Sequence, residues 1–170
     1  MRRLWHTLLL PLLLPWHSLP ALAAQTVAVF EFELIDTSLE GAVNGPRADE
    51  QARLARLGEA LRDRLAVSGR YVPVNISPVA EEARRSNLQA CGGCDAKLAA
   101  RVGAELAVTG TVQKISNLIL NMNIYVRDAD GRLLRQMSAD FRGNTDESWS
   151  RALDWLVRNR LLVEASGAER

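Results

Sequence analysis

Histidine is nearly absent. The only two in the 170-residue chain, His6 and His17, lie in its first stretch. That stretch has the build of a signal peptide: Arg2 and Arg3 form a basic start, Leu4 to Leu14 an apolar centre, and Ala21-Leu22-Ala23-Ala24 a small-residue cleavage site. The expected division is residues 1–24 as signal peptide and 25–170 as one domain, long enough to bury a real core. Cleavage would remove both histidines, which excludes Ser-His-Asp and Cys-His catalysis and any histidine-ligated metal. Cysteine is scarce as well. Cys91 and Cys94 are the only two, and neither lies near the cleavage site, which argues against lipoprotein attachment. Lysine is reduced to Lys97 and Lys114 beside 19 arginines, a bias of genome composition that points to a bacterial source. There is no charge excess: after residue 24, 19 basic residues face 20 acidic ones, so a nucleic-acid or anionic-membrane binder has no support. Nothing after residue 25 approaches a membrane-spanning run, and the leader, interrupted by Pro11 and Pro15, is too short to span comfortably. The expected location is the periplasm, with no stable membrane insertion once the signal is gone.

What remains is patterned. Thr26 to Leu34 is β-rich, and a loop with Gly41, Asn44, Gly45 and Pro46 follows. Ala48 to Val67 is a predicted helix with Leu54, Leu57, Leu61 and Leu65 as its apolar stripe and Glu50, Arg53, Arg56, Glu59, Arg62 and Asp63 on the other side. Tyr71 to Ile76 is a short strand that Pro73 assigns to an edge. A second helix is expected from Ser77 as N-cap and Pro78 at N1, and a third, short one from Asp95 to Val102. Leu106 to Ile115, Asn117 to Arg127 and Leu133 to Phe141 form a three-strand meander, with the Asp-Gly turn at Asp130-Gly131. In the middle strand Leu118, Leu120, Met122, Ile124 and Val126 alternate with polar residues, giving one buried and one wet face. Asn144 and Glu147 fit a capping box that opens the last helix. The fold class is therefore α/β (α+β): a mixed sheet of about five strands, an antiparallel C-terminal meander, and helices packed mainly on one face.

The first strand Val27-Ala-Val-Phe-x-Phe32, the run Gly103-Ala-Glu-Leu-Ala-Val-Thr-Gly-Thr-Val112 and the turn Val126-Arg-Asp-Ala-Asp-Gly131 resemble the TolB N-terminal domain and the related curli-secretion lipoprotein domains. The runs Gly110 to Arg127, Cys91-Gly-Gly-Cys94 and Arg142-Gly-Asn-Thr-Asp-Glu-Ser-Trp149 resemble, more specifically, an uncharacterised proteobacterial family of secreted proteins. That resemblance implies an association with periplasmic quinoprotein alcohol oxidation systems. The TolB likeness implies partner binding without catalysis, an analogy at the level of fold.

Few residues could carry chemistry. Cys91 and Cys94 should form a disulfide in an oxidising compartment, as a structural clip; the alternative is a thiol-disulfide redox pair at a helix start. Asp95 stands where haem attachment needs histidine. Asp128, Asp130 and Gly131 make a turn rather than a calcium loop, since the closing ligands are missing. Glu31 and Glu33 alternate with Phe30 and Phe32 and should share a solvated face. Asn121, Asn123, Tyr125, Arg127, Arg142 and Asp146 are the candidate partner-binding face. No cofactor, metal or catalytic residue is expected. The expected role is a non-catalytic periplasmic accessory or partner-binding protein; the alternatives are the redox protein or a small-ligand carrier using the loop at residues 35–46 as a lid.

Overall fold

A computed structural model describes residues 23–163, so all but the last two residues of the expected signal peptide, and the final tail, lie outside the described residues. The strands are β1 (Gln25–Asp36), β2 (Tyr71–Pro73), β3 (Leu106–Lys114), β4 (Ile119–Asp128) and β5 (Leu133–Arg142). They form one sheet in the order β2-β1-β3-β4-β5. β1 is parallel to both β2 and β3, while β3, β4 and β5 run antiparallel. The helices are α1 (Leu39–Asn44), α2 (Ala48–Val67), α3 (Ala80–Arg85), α4 (Cys94–Arg101) and α5 (Asp146–Leu156). A π-helical turn at Val157–Leu161 extends α5. The predicted mixed five-strand sheet with its C-terminal meander is thus present.

The two longest helices share one face. Leu54, Leu57, Leu61 and Leu65 of α2 pack with Trp149, Leu153 and Leu156 of α5 over Val27, Val29, Val108, Leu120, Met122 and Ile124. Arg64 of α2 pairs with Asp154, and both Arg53 and Arg56 pair with Asp146, tying α2 to α5. The short α3 and α4 lie on the opposite face over β1 and β3 only, where Phe30, Ala28 and Ala107 meet Val79, Ala83, Leu98 and Ala99. Over β4 and β5 no element among the described residues covers that face, and only Arg127 of β4 reaches α4, through Asp95.

Four local expectations change. A β-bulge lies between Val29 and Phe32, where three steps of β1 oppose two of β3. The extra residue inverts the alternation, so Phe30 faces α3 while Phe32 faces the main core. The ring of Phe32 lies over Gly110, where a Cβ would collide with it; this is the reason for a glycine inside β3. The second helix begins at Ala80 with Val79 as N-cap rather than at Ser77, whose backbone N–H is taken by the Asn75 side chain. The last helix is capped by Thr145, whose hydroxyl accepts from Ser148 N–H, not by Asn144. The loop after β1 contains α1, capped by Ser38.

Candidate functional site

The carboxyl ends of parallel β1 and β3 lie side by side, a position where open α/β sheets often hold ligands. Here the space is filled by a salt-bridge hub. The inward positions of β3 run Leu106, Val108, Gly110, Val112, and the next is Lys114, whose side chain is 0% exposed. Its Nζ donates to Glu50 Oε1 (2.7 Å), Glu40 Oε2 (2.9 Å) and Asp36 Oδ2 (3.2 Å). Glu50 is equally buried. It sits four residues before Leu54, on the apolar stripe of α2 rather than on the solvated side expected for it.

Burial disfavours the Lys114 ammonium, but its hydrogen bonds to Glu50, Glu40 and Asp36 prevail and hold its pKa above the ordinary value. Burial likewise opposes ionisation of Asp36, and hydrogen bonds from Ser38 and Lys114 outweigh it, so the carboxyl is held below its usual range. The Lys114 hydrogen bond, followed by that of Asn117, lowers Glu40. The hub extends through Asn144, whose Nδ2 donates to Glu50 (2.6 Å) and whose Oδ1 accepts from Trp149 Nε1 (3.0 Å) and Arg53 (3.2 Å). Glu40 anchors α1 through this hub and leaves Leu39 and Val43 facing solvent.

The candidate face divides. Asn121, Asn123 and Tyr125 do share the bare side of β4, with Thr111 and Thr109 of β3 opposite and Asp140 and Ser138 of β5 beside them. Asn121 donates to Ser138 (2.8 Å) and Asp140 (2.7 Å), and Asn123 donates to Asn121 (2.6 Å). Arg142 lies on the same side opposite Ile119, exposed and without an ion pair among the described residues. Arg127 is on this side too, but its guanidinium is spent on the buried Asp95 at the start of α4 (2.9 Å). Asp146 does not belong to the face: it lies on the helical side between Arg53 and Arg56. Glu31 and Glu33 both lie towards α3, where Arg84 grips Glu31 and Leu88 N–H donates to Glu33. Cys91 and Cys94 are disulfide-bonded across a four-residue turn, with Cα atoms 5.6 Å apart and Cys94 opening α4. Gly92 and Gly93 hold positive φ in that turn, which explains the pair of glycines.

Sequence reasoning missed the hub because it treated Glu50 and Lys114 by residue type. Their positions carried the signal: both fall in phase with apolar stripes.

A family model described as "Protein of unknown function (DUF2380)" matches residues 25–161. The chain belongs to this family, DUF3280. A search of curated proteins returned no match. Among solved structures, the LpoB C-terminal domain from Salmonella enterica is similar at 15% identity and TM-score 0.50, over 71% of this chain and 84% of that one. LpoB from Escherichia coli, solved by NMR, is similar at 16% identity and TM-score 0.50, over 69% of this chain and 56% of that one. Lipoprotein GNA1162 from Neisseria meningitidis reaches 20% identity and TM-score 0.42, over 78% of this chain and 91% of that one. At these identities the LpoB likeness is one of fold. Among the described residues of this DUF3280 chain, no helix is long and apolar enough to cross a membrane.

Proposed function

We propose that this chain is a non-catalytic accessory protein of the cell envelope that binds a partner protein through the bare side of β4 and β5. The observation that carries this reading is the asymmetry of the sheet: α3 and α4 cover β1 and β3, while the polar surface of β4 and β5 around Asn121, Asn123, Tyr125 and Arg142 is left uncovered by the described residues. Its rim is apolar, with Ile119 and Leu118 at one end and Leu133 and Leu134 at the other, all exposed. A polar centre with an aliphatic margin is a surface that another protein can cover. The group that would otherwise invite catalysis is committed, since the Lys114 ammonium donates to three carboxylates.

The periplasmic location after signal cleavage belongs to this proposal, as do the likeness to TolB N-terminal domains and the association with quinoprotein alcohol oxidation. The test is capture from a periplasmic extract by tagged protein beside a Tyr125→Ser/Arg142→Ala variant. A single partner retained by the parent and lost by the folded variant supports the face, and a quinoprotein dehydrogenase as that partner supports the narrower association. Equal capture by both proteins refutes the face. Arg127 is left intact because it holds α4 through Asp95.

A further inference from the structure

β2 ends at Pro73, but β1 continues to Asp36. From Glu31 onward the outer edge of β1 therefore has no strand beside it among the described residues. In the paired part, the odd residues of β1 direct their backbone groups to β2: Gln25 N–H donates to Arg70 and Val27 C=O accepts from Val74. The odd residues Val27 and Val29 face the main core, as Phe32 does after the bulge. Backbone direction and side-chain face alternate together along a strand. The N–H and C=O of Phe32 and Leu34 thus point to the open edge. That edge is the floor of a groove of about 340 Å³ between α2 and α3, lined by Leu54, Ile76, Ala80, Ala83 and Leu88, with Glu31 and Glu33 on the α3 side. A second hollow of about 400 Å³ continues it past Leu34 towards Ser38.

We infer that this groove binds an extended segment of a partner protein as a sixth strand, in the line where β2 stops, and that the segment carries a basic side chain against Glu33. Side chains directly opposite one another on paired strands share a face. The residue opposite Leu34 would meet Leu54 and the α2 side, which calls for an apolar side chain. The residue opposite Glu33 would meet the α3 side. There Glu31 is already paired with Arg84, whereas Glu33 has a single hydrogen bond among the described residues, from Leu88 N–H to Oε1. Its half-buried carboxyl is pushed up by desolvation, and a cation brought beside it would offset that cost. Strand addition draws affinity from main-chain hydrogen bonds and specificity from alternate side-chain pockets. The inference is independent of the bare β4–β5 face, which lies at the other end of the sheet.

The probe is an acetylated heptapeptide of alternating valine and threonine with a central arginine, titrated to about 1 mM into the isotope-labelled protein and followed by amide shifts. The expected result is shifts at Phe32 and Leu34 with new cross-strand contacts, and no binding of the same peptide with a central glutamate. Glu33→Gln, which can still accept from Leu88, should weaken the arginine peptide about tenfold, the loss of one charge-assisted hydrogen bond. Leu34→Pro, which deletes an N–H aimed at the groove, should abolish it. Shifts confined to other strands, equal binding of the glutamate peptide, no effect of Glu33→Gln, or no binding at all would overturn the inference.

Discussion

Removing the ammonium of Lys114 is the sharpest test of the hub. In Lys114→Met the aliphatic stem keeps most of its volume and the charge disappears. Asp36 and Glu40 retain some exposure, 17% and 27%, and can turn towards water. Glu50 cannot, because it is fully buried on the inner side of α2 and its Oε2 has no partner among the described residues even in the intact hub. The cost therefore concentrates on one buried, uncompensated carboxylate. Breaking a buried pair in this way costs about 3–5 kcal/mol, a large share of the roughly 5–15 kcal/mol that holds a domain folded. For a domain of this size that is a fall in Tm of about 10–15 °C. Urea denaturation followed by fluorescence of the buried Trp149 measures it. The companion variant Lys114→Met/Glu50→Gln removes the stranded charge but keeps an amide oxygen for Asn144, which donates to Glu50 in the parent. It should regain about 2 kcal/mol or more over the single variant. A single variant that loses under about 1 kcal/mol, or a double variant no more stable than the single, would refute this account of the hub.

Other outcomes follow from the same geometry. Gly110→Ala should cost about 1–3 kcal/mol in denaturation, since its methyl would collide with the Phe32 ring. Arg127→Ala should cost about 3 kcal/mol by leaving Asp95 buried and unpaired, whereas Arg142→Ala should stay within about 0.5 kcal/mol; equal effects in thermal melts would contradict the division of the polar face. Asp36 and Glu40 are held below their usual pKa, so the folded form binds fewer protons than the unfolded one near pH 4. Their contribution is complete above the unfolded carboxylate range and lost as pH falls through the folded values. Tm should therefore drop between about pH 5 and pH 3, and less steeply in Asp36→Asn. Reducing the Cys91–Cys94 bond, which closes only a four-residue turn, should cost no more than roughly 2 kcal/mol.

Periodicity carried much of the fold. The leucine spacing gives the buried face of α2, whose expected bounds Ala48–Val67 are those observed, and the alternation from Leu120 to Val126 gives the two faces of β4, while Leu118, expected on the buried face, lies exposed before the strand begins. Both signals work because burial acts on side chains in phase with the backbone period. The failures have the opposite character. The β1 bulge leaves no glycine or proline in Val29-Phe30-Glu31-Phe32, so nothing local marks the change of phase. Asn144 is a good cap by residue type, yet its amide is taken by Glu50 and Trp149, and Thr145 caps instead. Arg127 and Arg142 look alike in sequence. Only the arrival of α4, with the buried Asp95, makes one structural and leaves the other on the surface.

The hub also bears on what the chain does. A lysine that serves as a nucleophile needs a lowered pKa, obtained by desolvation or by a neighbouring cation. Lys114 is desolvated but surrounded by three carboxylates, and the balance runs the other way, towards a permanently charged ammonium. All three of its donor bonds are used in holding β1, β3, α1 and α2 together at one end of the sheet. Its effect is positional: through Glu40 it fixes a one-and-a-half-turn helix that buries no residue of its own. So short a helix does not persist without tertiary support. What that support maintains is an outer surface bearing Leu39 and Val43, with Ile115, Leu118 and Ile119 exposed around the neighbouring β3–β4 turn. Spending a buried ion cluster to hold apolar side chains out in solvent fits the proposal that this chain works by offering its surfaces to a partner.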